Sequence, residues 1–145
     1  MQTCRESIEY AHKIHNMFMN EQKRVVDIAH DLGITPSKVS TEVRRYIEYL
    51  DRLENPVFAA IIEHCNDMPV SVANGIIKAL SRTIRLPYKC TTEEQRKYIA
   101  AVLTPQKFMK MTEKEIMNLR GIGEVKGTII LEIQEKFKEK HQDEE

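Results

Sequence analysis

Tryptophan is absent, aromatic residues make up 6% of the 145-residue chain, and glycine and proline number only five each. With so few breakers and so many good helix formers, an all-α fold is expected. Cysteine is scarce too. Cys4, Cys65 and Cys90 are odd in number, far apart and never in a CxxC pair, which argues against a disulfide framework or a zinc cage; free buried or half-buried thiols are expected. No apolar run approaches the length of a membrane span, and the first ten residues, MQTCRESIEY, lack the apolar core of a secretory leader. No membrane association and a cytoplasmic location are therefore expected.

Net charge is also missing, with 22 basic residues against 22 acidic ones. Attraction to phosphate is what makes nucleic-acid binding strong, so a neutral chain has it only where charge is segregated. It is segregated here. Residues 1–53 balance eight basic with eight acidic groups, and residues 54–67 carry only Glu54, Glu63 and Asp67. Residues 68–110 hold eight basic groups against Glu93 and Glu94, whereas residues 111–145 hold six against nine and end in Asp143, Glu144 and Glu145. The basic stretch is either a DNA-attracting surface or a plain solvated face. The hydrophobic content of 41% suffices for one good core or two small ones.

The most informative stretch is Val25 to Leu50, VVDIAHDLGITPSKVSTEVRRYIEYL. It reads as two helices joined by a tight turn. Ala29 is small where a second helix must cross closely, and Gly33 tolerates the positive φ that a three-residue reversal favours. Thr35 can cap the next helix and Pro36 is pre-set for its first position. At about 100° per residue, Val39, Val43, Tyr46, Ile47 and Leu50 share one face and Ser37, Thr41, Arg44 and Arg45 lie roughly opposite. The outward set, with Lys38, suits a major groove, where hydroxyls reach base edges and guanidinium groups reach phosphate or guanine. An ordinary helical hairpin with a solvated charged face has the same spacing. Taken with the apolar Ile28, Leu32 and Ile34, the segment resembles the helix-turn-helix of bacterial and phage regulators, which implies a DNA-binding fold and no particular operator.

Upstream, Ile8, Ala11, Ile14, His15 and Phe18 recur at helical spacing and predict a supporting helix over residues 5–20. His12, His15 and His30 lack the same-face carboxylate spacing of a metal site, so no metal is expected. Asn55 and Pro56 start a helix through Phe58, Ile61 and Ile62 to about His64. Residues 68–81 read as another, with Val72, Ile76, Ile77 and Leu80 inward, and residues 83–91, around Pro87, as a surface loop. Thr91 with Glu94 and Thr112 with Glu115 are capping boxes, and Thr104 with Pro105 opens a short helix between them.

A second motif is Leu119 to Gly127, LRGIGEVKG, followed by a helix to about Lys138 with Val125, Ile129, Ile130, Ile133 and Phe137 inward. Gly121 and Gly123 let backbone N–H groups face outward at a helix start, where the dipole favours an anion, and Arg120 and Lys126 lie within reach of a phosphate held there. A plain glycine-rich connection has the same pattern. The motif is similar to a helix-hairpin-helix. With Asp67 to Ser81, including Pro69, Val70 and Asn74, it resembles the C-terminal domain of the bacterial RNA polymerase alpha subunit. That resemblance implies a helical domain touching the minor groove or other transcription proteins, with Asn74, Gly121 and Gly123 carried over. The family's basic contacts fall on Ser71, Glu124 and Val125, which favours a protein-binding role for this half.

No phosphate-binding loop, dinucleotide motif or paired-carboxylate spacing is present, so neither catalysis nor a cofactor is expected. The expected organisation is a helix-turn-helix DNA-binding domain over residues 1–55, a connecting helix over 56–66 and a helical domain over 67–145. The expected function is sequence-specific binding of double-stranded DNA by a bacterial or phage transcription regulator. A homodimer would double the footprint, with the apolar helix 56–64 as its candidate interface. The competing expectation is an adaptor or inhibitor that binds RNA polymerase, a nuclease machine or another protein; a phage packaging or replication initiator is a third.

Overall fold

The computed structural model describes residues 2–86, 89 and 91–143, and among them the chain is all-α. Pro87, Cys90, Glu144 and Glu145, to which the sequence assigned a loop, a free thiol and an acidic tail, lie outside the described residues. The helices are α1 (Cys4–Met19), α2 (Val25–Leu32), α3 (Pro36–Leu53), α4 (Pro56–His64), α5 (Val70–Ser81), α6 (Thr92–Val102), α7 (Pro105–Met109), α8 (Glu113–Met117) and α9 (Glu124–Asp143).

Most of these boundaries follow from side chains that satisfy orphan N–H groups at helix starts. Thr35, Asn55 and Thr104 accept from first-turn N–H groups, each with proline at the next position. Thr91 and Thr112 make complete capping boxes with Glu94 and Glu115, as Thr3 does with Glu6.

Two apolar clusters form. The smaller is made by Ile14 and Met17 of α1, Ile28 and Ala29 of α2, and Val39 of α3, with Leu32, Ile34 and Val43 packed against it. The larger gathers Val57, Phe58, Ile61 and Ile62 of α4 with Ile76, Ile77 and Leu80 of α5, Phe108, Ile116, and Ile129, Ile130 and Ile133 of α9. Helix α1 spans both, because Cys4 at its start belongs to the larger cluster and Ile14 to the smaller. A short antiparallel bridge at Thr3 and Pro69 anchors that start, with Cys4 N–H donating to Met68 O at 2.8 Å and Val70 N–H to Gln2 O at 3.2 Å.

Two buried amides tie the second half together. Asn55, 2% exposed, accepts from the N–H groups of Val57 and Phe58 through Oδ1 and donates from Nδ2 to the carbonyls of Ala100 and Leu103 at 3.0 and 2.9 Å. Gln134 of α9 donates to the carbonyls of Phe108 and Met111 at 3.0 and 2.7 Å, closing the end of α7.

The structure departs from the pattern reading in several places. Met17, not Phe18, is the inward residue at the end of α1, and Val125 is 74% exposed because α9 begins one turn before it reaches the core. Ile47 and Leu50 are 45% and 43% exposed, since no element among the described residues covers that side of α3. The apolar face of α4 is internal, so Val57, Phe58, Ile61 and Ile62 cannot serve as a dimer interface. Ile84, expected in a surface loop, is buried in the larger cluster.

Candidate nucleic-acid interface

The α2–α3 pair is set by its connection. Gly33 adopts φ 67° and its N–H returns to the carbonyls of Ala29 and His30, while Ile34 N–H also reaches Ala29 O at 3.0 Å. A Cβ on Gly33 would touch nothing within 4 Å, so glycine is needed there for its left-handed backbone and not for space. Thr35 Oγ1 accepts from Lys38 N–H at 3.1 Å and starts α3 immediately afterwards.

Helix α3 buries Val39 and turns Ser37, Ser40 and Arg44 outward. Thr41 is half-buried and its hydroxyl donates to Ser37 O at 3.0 Å, leaving its oxygen free to accept. One residue was missed by the periodicity. Glu42 is 1% exposed, and its Oε1 lies 2.9 Å from Lys38 Nζ and 2.9 Å from Arg45 Nη1. Two of the expected DNA cations are thus half-neutralised by a buried carboxylate, although each side chain stays about half exposed. Arg44 is the exposed cation of this face with no ion-pair partner among the described residues. The signal for Glu42 was its place four residues after Lys38 and three before Arg45.

Behind this face, the His12 ring stacks on Tyr46 at 4.8 Å and His15 tilts against it at 4.9 Å, which fixes α1 on α3. Toward its C-terminus α3 meets two further elements. Arg52 donates to Asn74 Oδ1 of α5 at 3.1 Å, and Arg96 of α6 lies 3.6 Å from both Glu48 and Asp51. A cleft of about 180 Å³ lies there between α3 and α6, lined by Phe58, Ile77, Arg52, Arg96 and Ile99.

The second group of expected contacts partly converges. Gly121 adopts φ 81° in the turn before α9, and a Cβ on it would lie 3.9 Å from Arg82 Nη1. Lys126 lies across Gly75 of α5, where a Cβ would come within 2.8 Å of Nζ. Arg82, Lys126 and the Gly121–Gly123 turn therefore gather where α5 meets the start of α9. Asn74, one residue before Gly75, is not part of this group, since its Oδ1 accepts from Arg52 of α3, and Arg120 is exposed in the turn. The Ile122 N–H does not face outward; it donates to Leu119 O at 3.1 Å, so anion binding would fall to the free N–H groups of the first turn of α9. Glu124 stands exposed in that same turn.

Cys4 and Cys65 are free, buried and part of one cluster. Burial pushes both thiols up, Cys65 to about 11 with the neighbouring Cys4 adding to it, while Arg52 partly offsets the rise at Cys4. Both are protonated and unreactive near neutral pH. Among the described residues no three His, Cys, Asp or Glu side chains gather as metal ligands, and no helix is long and apolar enough to cross a membrane. Comparison of the chain with protein-family models, with curated proteins and with solved structures gives no match.

Proposed function

We propose that the chain binds double-stranded DNA as a transcription regulator of bacterial or phage type, with α2 and α3 as its helix-turn-helix. The observation that carries this reading is the first half of α3: Ser37, Ser40 and Arg44 face solvent on a helix whose opposite side is pinned by Val39 and Glu42. Short hydroxyls on such a face reach base edges, and Arg44 reaches a guanine or a phosphate. Lys38 and Arg45, held to Glu42, are suited to positioning on the backbone and not to base reading. Arg82, Lys126 and the turn before α9 supply a second phosphate contact that carries no sequence information. The test is anisotropy of a labelled duplex against salt: binding should weaken steeply as salt rises, and Arg44→Ala should reduce it.

A second reading is favoured by Val125, 74% exposed beside Glu124 at the start of α9. An aliphatic side chain and a carboxylate there suit a protein surface better than a phosphate. In that reading residues 67–145 dock on RNA polymerase or another protein. Val125→Asp should then abolish capture of the partner while leaving duplex binding intact.

A further inference from the structure

A second cleft, of about 230 Å³, opens between α1, α3 and α5, with Ile8, Ile62, Val70 and the ring of Tyr49 among its apolar walls. Arg52 lines it. Asn74 and Cys4 border this cleft and not the one against α6, and Arg52 Nη1 donates to Asn74 Oδ1 at 3.1 Å, so the guanidinium belongs here. That amide is neutral, and half-buried Arg52 has no ion-pair partner among the described residues. Glu48 borders the same cleft, but its carboxylate is engaged with Arg96 at 3.6 Å, and the second guanidinium at the rim, Arg45, is held to Glu42 at 2.9 Å. A guanidinium taken out of water is costly unless an anion meets it. Burial accordingly lowers the basicity of Arg52, while Glu48 partly offsets the fall and Arg96 adds to it. Two hydroxyls also line the cleft, those of Ser7 and Tyr49. Burial pushes the Tyr49 phenol up, so it remains a donor at neutral pH.

We infer that this cleft binds a small monocyclic carboxylate, with the anionic group on Arg52 and the ring against Ile8, Ile62 and Val70. The bond to Asn74 uses Nη1 and leaves Nε and Nη2 without a protein partner among the described residues. Those two donors form the fork that a planar carboxylate meets with both oxygens. Volume sets the size of the ligand. A cavity of about 150 Å³ holds benzene, so a cleft of about 230 Å³ holds one ring with its carboxylate and no second ring. Without the charge, the ring would leave Arg52 unanswered; without the ring, an anion would leave the apolar walls wet.

Such binding needs no DNA and stands or falls separately from duplex binding. The probe is benzoate, with benzyl alcohol as its uncharged counterpart and inorganic phosphate as an anion without an apolar body. In an amide-resolved NMR titration of the full chain, benzoate should shift resonances of residues 7–8, 49–52 and 70–74, with a dissociation constant on the order of 1 mM. Benzyl alcohol and phosphate should each bind about tenfold more weakly or worse. Arg52→Met removes the guanidinium and keeps the apolar stem, so it should fold and should weaken benzoate by about tenfold or more. Ser7→Leu fills the cleft from α1 and should do the same with Arg52 intact. The comparison of probes on the wild type needs neither variant. Benzoate that leaves those resonances unmoved at about 20 mM, benzyl alcohol or phosphate that binds as well as benzoate, or a folded Arg52→Met or Ser7→Leu with wild-type affinity would each overturn the inference.

Discussion

Glu42 Oε1 lies 2.9 Å from Arg45 Nη1, with the carboxylate inside the chain and the guanidinium at its surface. Lys38 completes the arrangement at 2.9 Å. A buried carboxylate that loses its charge no longer holds the two cations, so Glu42→Gln should release them toward phosphate. Affinity for random duplex DNA should rise several-fold and its salt dependence steepen, while stability falls by about 1–3 kcal/mol because a buried charge-assisted pair is lost. Titrations at two salt concentrations and a urea melt check both arms.

Asn55 makes all of its hydrogen bonds inside the protein, two to N–H groups that open α4 and two to carbonyls that end α6. Truncation takes this partner from three buried backbone groups and from the half-buried Ala100 carbonyl. Asn55→Ala should cost about 2–4 kcal/mol, read as a lower midpoint in chemical denaturation. Asn55→Asp keeps the cap but loses the donors, and should recover only part of the loss.

The two turn glycines should behave differently. Gly33→Ala should cost about 1 kcal/mol because of its left-handed backbone, with nothing nearby to clash. Gly123 has nothing within 4 Å of a Cβ and does not carry a positive φ, so Gly123→Val should fold normally. If the turn before α9 grips phosphate, that variant should bind duplex more weakly; equal affinity in a folded variant would remove the second phosphate contact.

Alkaline pH should destabilise the fold through Cys65. Its thiol is held to about 11 by burial against an ordinary value of 9.0. The folded state therefore keeps a proton that the unfolded state releases. The contribution is fully present below pH 9 and is lost as pH climbs toward 11. Cys65→Ala should flatten the fall in melting temperature across that window, at the expense of a lower baseline from the small cavity it leaves.

Helix starts were legible in the sequence because their signals are local. Thr35 with Pro36, Asn55 with Pro56, and Thr91 with Glu94 sit within a few residues of the N–H groups they satisfy. The Gly33 turn was legible for the same reason. What helical spacing could not reveal was which outward stripe finds a cover. Ile47, Leu50 and Val125 fit an inward pattern, yet no element among the described residues packs over them, whereas Glu42 looked like a surface charge and lies inside. Bringing Cys4 of α1 against α4 and α5 depends on contacts more than fifty residues apart, which no local rule carries. The outward placement of Ser37 and Arg44 was legible from their position on the helix, while the neutralisation of Lys38 and Arg45 needed the burial of Glu42. Lys126 lying across Gly75 joins segments about fifty residues apart and left no pattern to read.

The exposed N-terminal half of α3 is the feature on which the proposed DNA binding rests, and the most direct measurement is fluorescence anisotropy of a random duplex with the wild type and Arg44→Ala across a salt series. Binding that falls steeply as salt rises, and a loss of about 1 kcal/mol or more with a shallower slope in the variant, is the expected result. Flat anisotropy at low salt, or an Arg44→Ala variant that binds as the wild type does, would contradict it.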